Sequence, residues 1–292
     1  MSASIDTLEA PTEVIDFGGL AISWDSRVLR PRAWTAEQAR WAAELAGTAS
    51  AGPILELCCG AGQIGLLAAR LSGRPLVQVD RDPVAAEYAS RNAAAAGITS
   101  DVRCGPMADV LAPGELFDVV VADPPWLRTA EVDDFPDDPV GAVDGGTDGC
   151  DLVRDCIDVA LAHLAPGGRV LVQVGDLAEV EQARRHVDRH HPGHAVHAVR
   201  DRREEGAGGV LVMVGPREGS SEEETEGQVS EVGNLDDVGE IRPEDAVAAH
   251  PDDREVQEGA TGPNARTGDQ DNHDDEVDQD EEEPYAHPEE AE

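Results

Sequence analysis

The chain has 292 residues, and its 61 acidic residues against 22 basic ones give a net charge of -39. Such an acidic chain is a poor electrostatic match for bare nucleic acid, because binding there begins with neutralisation of phosphates. No apolar run approaches the roughly 18 residues of a membrane span, and residues 1–11 lack the basic start of a signal peptide. We therefore expect a cytoplasmic protein with no membrane partner, whose five cysteines are reduced.

Short apolar, β-branched runs alternate with Ala- and Leu-rich stretches over the first 215 residues. The predicted strands are Pro53–Leu57, Pro75–Asp80, Phe117–Ala122, Arg169–Val174 and Val210–Val214. The predicted helices are Ala36–Ala46, Gln63–Leu71, Pro83–Ala96, Asp151–Leu164 and Leu177–His190. Nearly continuous apolar strands separated by helices predict a parallel sheet covered on both faces, which is a doubly wound α/β fold. Such a fold binds its ligand at the carboxyl ends of the strands.

The first of these helices has a recognisable start. Thr35 precedes it, and Gln38 follows three residues later. Thr and Gln at this spacing are typical of a capping box, in which each side chain bonds a backbone N–H at the start of the helix. We therefore predict that Thr35 is the N-cap.

The segment from Pro216 to the end differs from the rest of the chain. It has 28 acidic residues, four Arg and no apolar periodicity. A segment of this composition cannot bury enough apolar area to offset the entropy lost on ordering. We predict an N-terminal extension at 1–16, one domain at 17–215 and a disordered acidic C-terminal tail at 216–292, whose partner is unknown.

A glycine-rich turn follows the strand that ends at Leu57. Gly60 and Gly62 let the backbone pass close to a ligand, and the helix that follows offers free N–H groups to an anion. Asp80 ends the next strand, where a carboxylate can bind ribose hydroxyls. This pattern alone fits an S-adenosylmethionine (SAM) site, a dinucleotide site or a structural turn, and the acidic Glu56 in the first strand favours SAM.

The most specific motif is Asp123-Pro124-Pro125-Trp126, directly after a buried strand. A turn that merely ends a strand explains the two prolines but not the flanking Asp and Trp. An amide or nucleobase NH2 is a poor nucleophile because its lone pair is delocalised. Asp123 and the carbonyl of Pro124 can accept its two N–H bonds, while Trp126 stacks on the flat acceptor.

These motifs resemble the HemK/PrmC-type methyltransferases, which methylate the glutamine amide of peptide-chain release factors. Phe17–Leu20, Val28–Thr35 and Ala142–Gly149 also resemble that family, so the similarity covers most of residues 17–215. The resemblance implies a Rossmann-like class I methyltransferase with a mostly parallel, seven-stranded sheet. Only 16 residues precede Phe17, so we expect the family's N-terminal helical domain to be missing.

The resemblance also implies the roles of individual residues. Asp123–Trp126 corresponds to the family's NPPY acceptor motif, and Cys58 stands where the family has its first loop glycine. The implied SAM-binding residues are Glu56, Cys58, Cys59, Gly60, Ala61, Gly62, Asp80 and Asp123. The implied substrate is a protein such as a release factor or another translation protein. Asp123 and Trp126 leave open an exocyclic base amine in ribosomal or transfer RNA, and a non-catalytic binding module is the third alternative.

Five histidines crowd one short region. They are His186, His190, His191, His194 and His197. Their spacing suits a helix end followed by a strand, and no Cys or paired carboxylate set accompanies them. We therefore predict no metal site.

Overall fold

The computed structural model describes residues 11–49, 51–206 and 208–217, so the predicted tail beyond its first two residues and most of the predicted N-terminal extension lie outside the described residues. The strands are β1 Glu13–Phe17, β2 Leu20–Trp24, β3 Ile54–Leu57, β4 Leu76–Asp80, β5 Ser100–Cys104, β6 Phe117–Ala122, β7 Leu164–Val174, β8 His194–Asp201 and β9 Val210–Pro216. The helices are α1 Ala36–Thr48, α2 Gln63–Ser72, α3 Pro83–Ala96, α4 Met107–Val110, α5 Val140–Val143, α6 Asp151–Ala162 and α7 Leu177–His190.

Every strand and helix predicted above is present, with bounds within two residues of the prediction except at the start of β7. That strand begins five residues early, at Leu164, because the chain first pairs Leu164 with Phe117. It then bulges over residues 165–168 and resumes pairing at Arg169. None of the helices in the described ranges is long and apolar enough to cross a membrane.

Seven strands form one sheet in the order β5-β4-β3-β6-β7-β9-β8. All neighbours pair in parallel except β9, which is antiparallel to both β7 and β8. This confirms the predicted doubly wound, mostly parallel, seven-stranded sheet. The strand order reverses between β3 and β6, and a crevice opens at the carboxyl ends of strands at such a switch point.

Alternate residues of the central strands face two separate cores. In β6, Val119 and Val121 face the core beneath α1, α2 and α3, whereas Val120 and Ala122 face the core beneath α6 and α7. The β1–β2 hairpin closes the first core with Phe17 and Ile22. Packing on both faces leaves the carboxyl edge of the sheet as the place where polar side chains can meet.

The predicted capping box does not form. Thr35 has helical backbone angles and makes no cap bond; its hydroxyl donates to the carbonyl of Arg32 instead. Gln38 is fully buried, and its Nε2 donates to the carbonyls of Ala122 (2.9 Å) and Leu171 (3.2 Å). The prediction was wrong because α1 packs its first turn against the sheet, so Gln38 bonds β6 and β7 rather than its own helix.

Candidate active site

The glycine turn after β3 is held by buried polar side chains from three directions. Each of three successive loop residues forms one such bond. The bonds run from Gly60 N to Asp80 Oδ2 (2.8 Å), from Asn92 Nδ2 to the Ala61 carbonyl (2.9 Å), and from Gln78 Nε2 to the Gly62 carbonyl (3.1 Å). The loop is therefore fixed in shape without any ligand, which is the preorganisation that a binding loop needs.

Three loop residues adopt left-handed backbone angles. Gly62 has φ of 84°, Cys58 has φ of 55° and Gly60 has φ of 52°. Cys58 is the only residue other than glycine with positive φ in the described part of the chain, a conformation that costs an L-residue about 1–2 kcal/mol. The backbone at this position thus requires the geometry that glycine gives most easily, and this chain maintains it with a cysteine.

Glu56 lies behind the loop. Its side chain is buried and accepts a hydrogen bond from Gln78 Nε2 at 2.6 Å. Burial raises the pKa of this carboxyl to about 8. The carboxyl also faces Gly65 in the first turn of α2, so Glu56 braces the loop against the helix and does not line the cleft described next.

A cleft of about 620 Å³ opens in front of the loop. Cys58, Cys59, Gly60, Asp80 and Asp123 line it, whereas Ala61 and Gly62 lie behind it. The charged residues of its lining are Asp80, Asp82, Asp123, Asp155 and Asp158 against Arg27 and Arg81. Such an excess of carboxylates suits a cationic ligand.

The chemistry of this cleft fits SAM, which carries a positive sulfonium, an ammonium group and a ribose. Asp80 lies beside Gly60 of the loop, and burial raises the pKa of its carboxyl above the usual value. Gln63 at the start of α2 lines the cleft and has a buried Oε1 with no hydrogen-bond partner in the described structure. A buried, unpaired acceptor is costly, and a donor on the ligand would satisfy it.

Asp123 lies at the carboxyl end of β6 and forms a wall shared by two cavities. One is the cleft, and the other is a cavity of about 70 Å³ that is lined by all four residues of the Asp123–Trp126 segment. Gln173 Nε2 donates to Asp123 Oδ1 at 2.8 Å, which leaves Oδ2 for another donor. Burial raises the pKa of Asp123 to about 7.

The smaller cavity, which we call the acceptor cavity, has a mostly apolar, flat-sided lining. Trp34 and Trp126 contribute rings, and Pro124 and Pro125 contribute the wall next to Asp123. An ion pair between Arg32 and Asp138 (3.0 Å) lies in the lining as well. A small cavity between rings and prolines suits a planar group, and Asp123 is the acceptor that such a group would meet on the side of the cleft.

The segment Ala142–Gly149 supports the acceptor motif from behind. The backbone of Leu127 bonds Val143 and Gly145 in both directions, at 3.0 and 2.8 Å. A Cβ on Gly145 would lie 2.8 Å from both the Pro125 carbonyl oxygen and the Trp126 Cα. Only glycine permits this approach, so this glycine-rich segment serves to hold the acceptor loop in place.

The structure therefore brings the predicted residues together. Asp80, Asp123 and the 58–60 loop line one cleft, and the Asp123–Trp126 motif separates that cleft from the acceptor cavity. Sequence reasoning missed three buried amides that hold these groups: Gln78, Asn92 and Gln173. Gln78 and Gln173 carry a detectable signal, because each is a polar residue between two valines in a buried stretch of strand.

Comparisons with known proteins show similarity to methyltransferases. Residues 54–135 match a protein-family model described as "Methyltransferase domain". The chain is 34% identical over 167 residues to the release factor glutamine methyltransferase of Xylella fastidiosa, covering 54% of this chain and 60% of that protein. It is 34% identical over 130 residues to the ribosomal protein uL3 glutamine methyltransferase of Bordetella pertussis, covering 41% and 43%. The chain thus spans about half the length of the curated relatives it matches.

Solved structures share the fold at low sequence identity. A methyltransferase from Pyrococcus furiosus gives a TM-score of 0.51 at 18% identity, covering 67% of this chain and 88% of that one. The hMettl16 catalytic domain in complex with the MAT2A 3'UTR hairpin 1 gives 0.53 at 15% identity, covering 68% and 75%. The chain therefore has the Rossmann-like fold of these solved structures. Residues 54–135 are similar to a methyltransferase domain, and the two curated relatives are named as glutamine methyltransferases.

Proposed function

We propose that this protein is a SAM-dependent N-methyltransferase whose acceptor is the side-chain amide of a glutamine in another protein. The observation that carries the proposal is the position of Asp123, with the acidic cleft on one side and the acceptor cavity on the other. The glutamine methyltransferases among its relatives support the choice of acceptor. The small size of the acceptor cavity also suits the end of a side chain better than a two-ring base.

The residues of the cleft would hold SAM by its polar parts. Residues 58–60 of the loop, which line the cleft, would contact the methionine portion, and Asp80 would accept hydrogen bonds from the ribose hydroxyls. When bound, SAM supplies an electrophilic methyl group on a positively charged sulfur. The acidic lining of the cleft would stabilise that charge.

Asp123 would prepare the acceptor nitrogen. Its Oδ2 accepts one N–H of the amide and the Pro124 carbonyl accepts the other, which favours a nitrogen with a localised lone pair. Positioning of this kind contributes most when the reacting atoms are held about 3–3.5 Å apart. The nitrogen gains a methyl group and must lose a proton. Because burial raises the pKa of Asp123 to about 7, this carboxylate is suited to accept that proton near neutral pH.

The proposed partners follow from the acceptor. A release factor or ribosomal protein uL3 are the first candidates, since relatives are named for these substrates, and both belong to the cytoplasm. An exocyclic amine of ribosomal or transfer RNA is the second candidate acceptor. Asp123 in the place of the family's Asn, together with the Trp126 ring in the acceptor cavity, favours it.

The test is methyl transfer from SAM with a labelled methyl group to purified release factor, purified uL3 and total RNA, side by side. We expect label in protein, located on a glutamine by mass spectrometry, and a rate roughly 10²–10³ lower with Asp123→Ala. Label in RNA alone would establish the second candidate. If calorimetry detects no SAM binding at all, the chain is a non-catalytic binding module and the proposal is wrong.

A further inference from the structure

A cluster of histidines meets one carboxylate where α6 and α7 pack together. Asp158 lies in α6, His186 lies in α7, and His191 directly follows α7. Both Nε2 atoms lie 2.6 Å from the same carboxylate oxygen, Asp158 Oδ1. The two imidazole side chains are only 11% and 21% exposed, against 49% for the carboxylate. The histidine side chains are thus mostly buried, whereas the carboxylate side chain that they share is half exposed.

The ligand types and their spacing are those of a transition-metal site. One ligand atom from each of the three residues lies within 4.8 Å of the others. Zinc binds imidazole nitrogen and carboxylate oxygen at about 2.0–2.2 Å, so atoms this close can bind one ion after shifts of less than about 1 Å. Without an ion, both imidazoles must direct a proton at one oxygen. A divalent cation replaces both protons and satisfies all three groups.

We propose that Asp158, His186 and His191 bind a divalent transition-metal ion, with zinc as the reference ion. Three protein ligands with water in the fourth position are a common pattern for an accessible zinc site. The net charge of -39 also concentrates cations around the chain. This site departs from our expectation of no metal, because the carboxylate comes from a helix that the histidine spacing alone could not place beside them.

The bound ion would join α6 to the end of α7. Asp158 also lines the SAM cleft, so the ion would lie at its rim. The His186 and His190 rings are 4.8 Å apart, and the His191 and His194 rings are 6.4 Å apart. His190 and His194 thus place two further imidazoles next to the site. The proposal does not depend on methyl transfer, and its test needs no enzyme assay.

The experiment is calorimetric titration of zinc chloride into the full chain, free of any tag and prepared with a chelator. Excess Mg²⁺ is present to occupy carboxylates outside the site, since Mg²⁺ prefers oxygen ligands. We expect one zinc ion per chain and a loss of at least tenfold in affinity in the double variant His186→Ala/His191→Ala. The matched control is His197→Ala, whose exposed imidazole bonds the Pro216 carbonyl outside the cluster.

Two further measurements keep the result unambiguous. Asp158→Asn should also weaken zinc binding, and because its side chain is half exposed, folding should be unaffected by circular dichroism. The visible spectrum of the cobalt-substituted chain should show nitrogen and oxygen ligands without an intense thiolate charge-transfer band. Equal zinc affinity in the double variant and the control, or a thiolate band, would overturn the proposal.

Discussion

Asp123 is the residue in which the two halves of the site meet. Its Oδ1 is fixed by Gln173, so the direction of the carboxylate is set from β7 rather than by a ligand. Burial raises the pKa of this carboxyl to about 7. At neutral pH the group can therefore accept a hydrogen bond from the amide and can also take a proton from it. Substitutions at this one position can therefore separate the two roles.

Asp123→Ala should lower kcat by roughly 10²–10³, or about 3–4 kcal/mol of barrier, because one positioned acceptor is lost. SAM affinity should change little. Asp123→Asn keeps one acceptor oxygen and introduces the asparagine of the NPPY motif that this segment resembles. If the carboxylate only orients the amide, Asn retains much of the activity; if it takes the proton, Asn resembles Ala. Steady-state rates and calorimetry measure these effects, and a fully active Asp123→Ala would remove the residue from the mechanism.

Sequence analysis could place the residues that end strands but not the residues that hold them. Asp80 and Asp123 are detectable because each follows an apolar run. The contacts of Gln78, Asn92 and Gln173 join residues that are 16 to 50 positions apart. Such pairings depend on which strands become neighbours, and the spacing along the chain does not determine this.

At the scale of elements, the buried side-chain amide of Gln38 bonds α1 to the sheet. Gln38→Glu tests this role, because Glu is favoured at this position of a capping box and would be tolerated at a helix surface. Buried in the structure, a carboxylate there would face the carbonyl oxygens of Ala122 and Leu171 and should be strongly destabilising. Gln38→Leu removes the donor without adding charge and should cost about 1–3 kcal/mol. Urea denaturation measures the free energy of unfolding of both variants. Wild-type stability in Gln38→Glu would show that residue 38 belongs to a helix cap instead.

Glu56, which lies between the glycine loop and α2, should make the stability of the fold depend on pH. Burial raises the pKa of Glu56 to about 8, from a usual value of 4.5. A raised carboxyl pKa stabilises the folded state below the unfolded pKa, and this contribution is lost as pH rises through about 8. Between pH 7 and 9, the Tm of the wild type should therefore fall relative to that of Glu56→Gln. Glu87→Gln, at an exposed position of α3, is the control, and parallel Tm curves for all three proteins would contradict the prediction.

The elements themselves were predictable where burial imposes a pattern. β3, β4 and β6 are apolar runs buried on both faces, and their bounds match the prediction closely. β5 was not predicted, because this edge strand is partly exposed and carries Ser, Asp and Arg. The early start of β7 was also missed, since a bulge containing Pro and Gly resembles a simple turn in sequence.

At the scale of the whole molecule, the contacts of residues 216 and 217 determine how far the chain can be truncated from its C-terminal side without loss of stability. β9 runs to Pro216, and Arg217 then donates to Asp188 Oδ1 (2.8 Å) and to the carbonyl of His194 (3.0 Å). A chain ending at Arg217 should keep the Tm and SAM affinity of the full protein. A chain ending at Gly215 should melt at a lower temperature, because it loses the last β8–β9 pair and these bonds. Thermal unfolding with SAM calorimetry separates the two, and a large loss in the longer variant would show that residues 218–292 contribute to the fold.

The position of Asp123 also determines the stereochemical outcome of the proposed methyl transfer. Under the proposed function, the donor and acceptor sides both border Asp123, so the methyl group would pass from one to the other without a covalent intermediate on the protein. Two thiols line the donor side, Cys58 and Cys59. Both are poor relays, because the contact of Cys58 with Cys156 and the burial of both thiols raise their pKa well above the usual value. A single displacement turns the methyl group inside out, so a methyl made chiral with three hydrogen isotopes would arrive on the acceptor with inverted configuration.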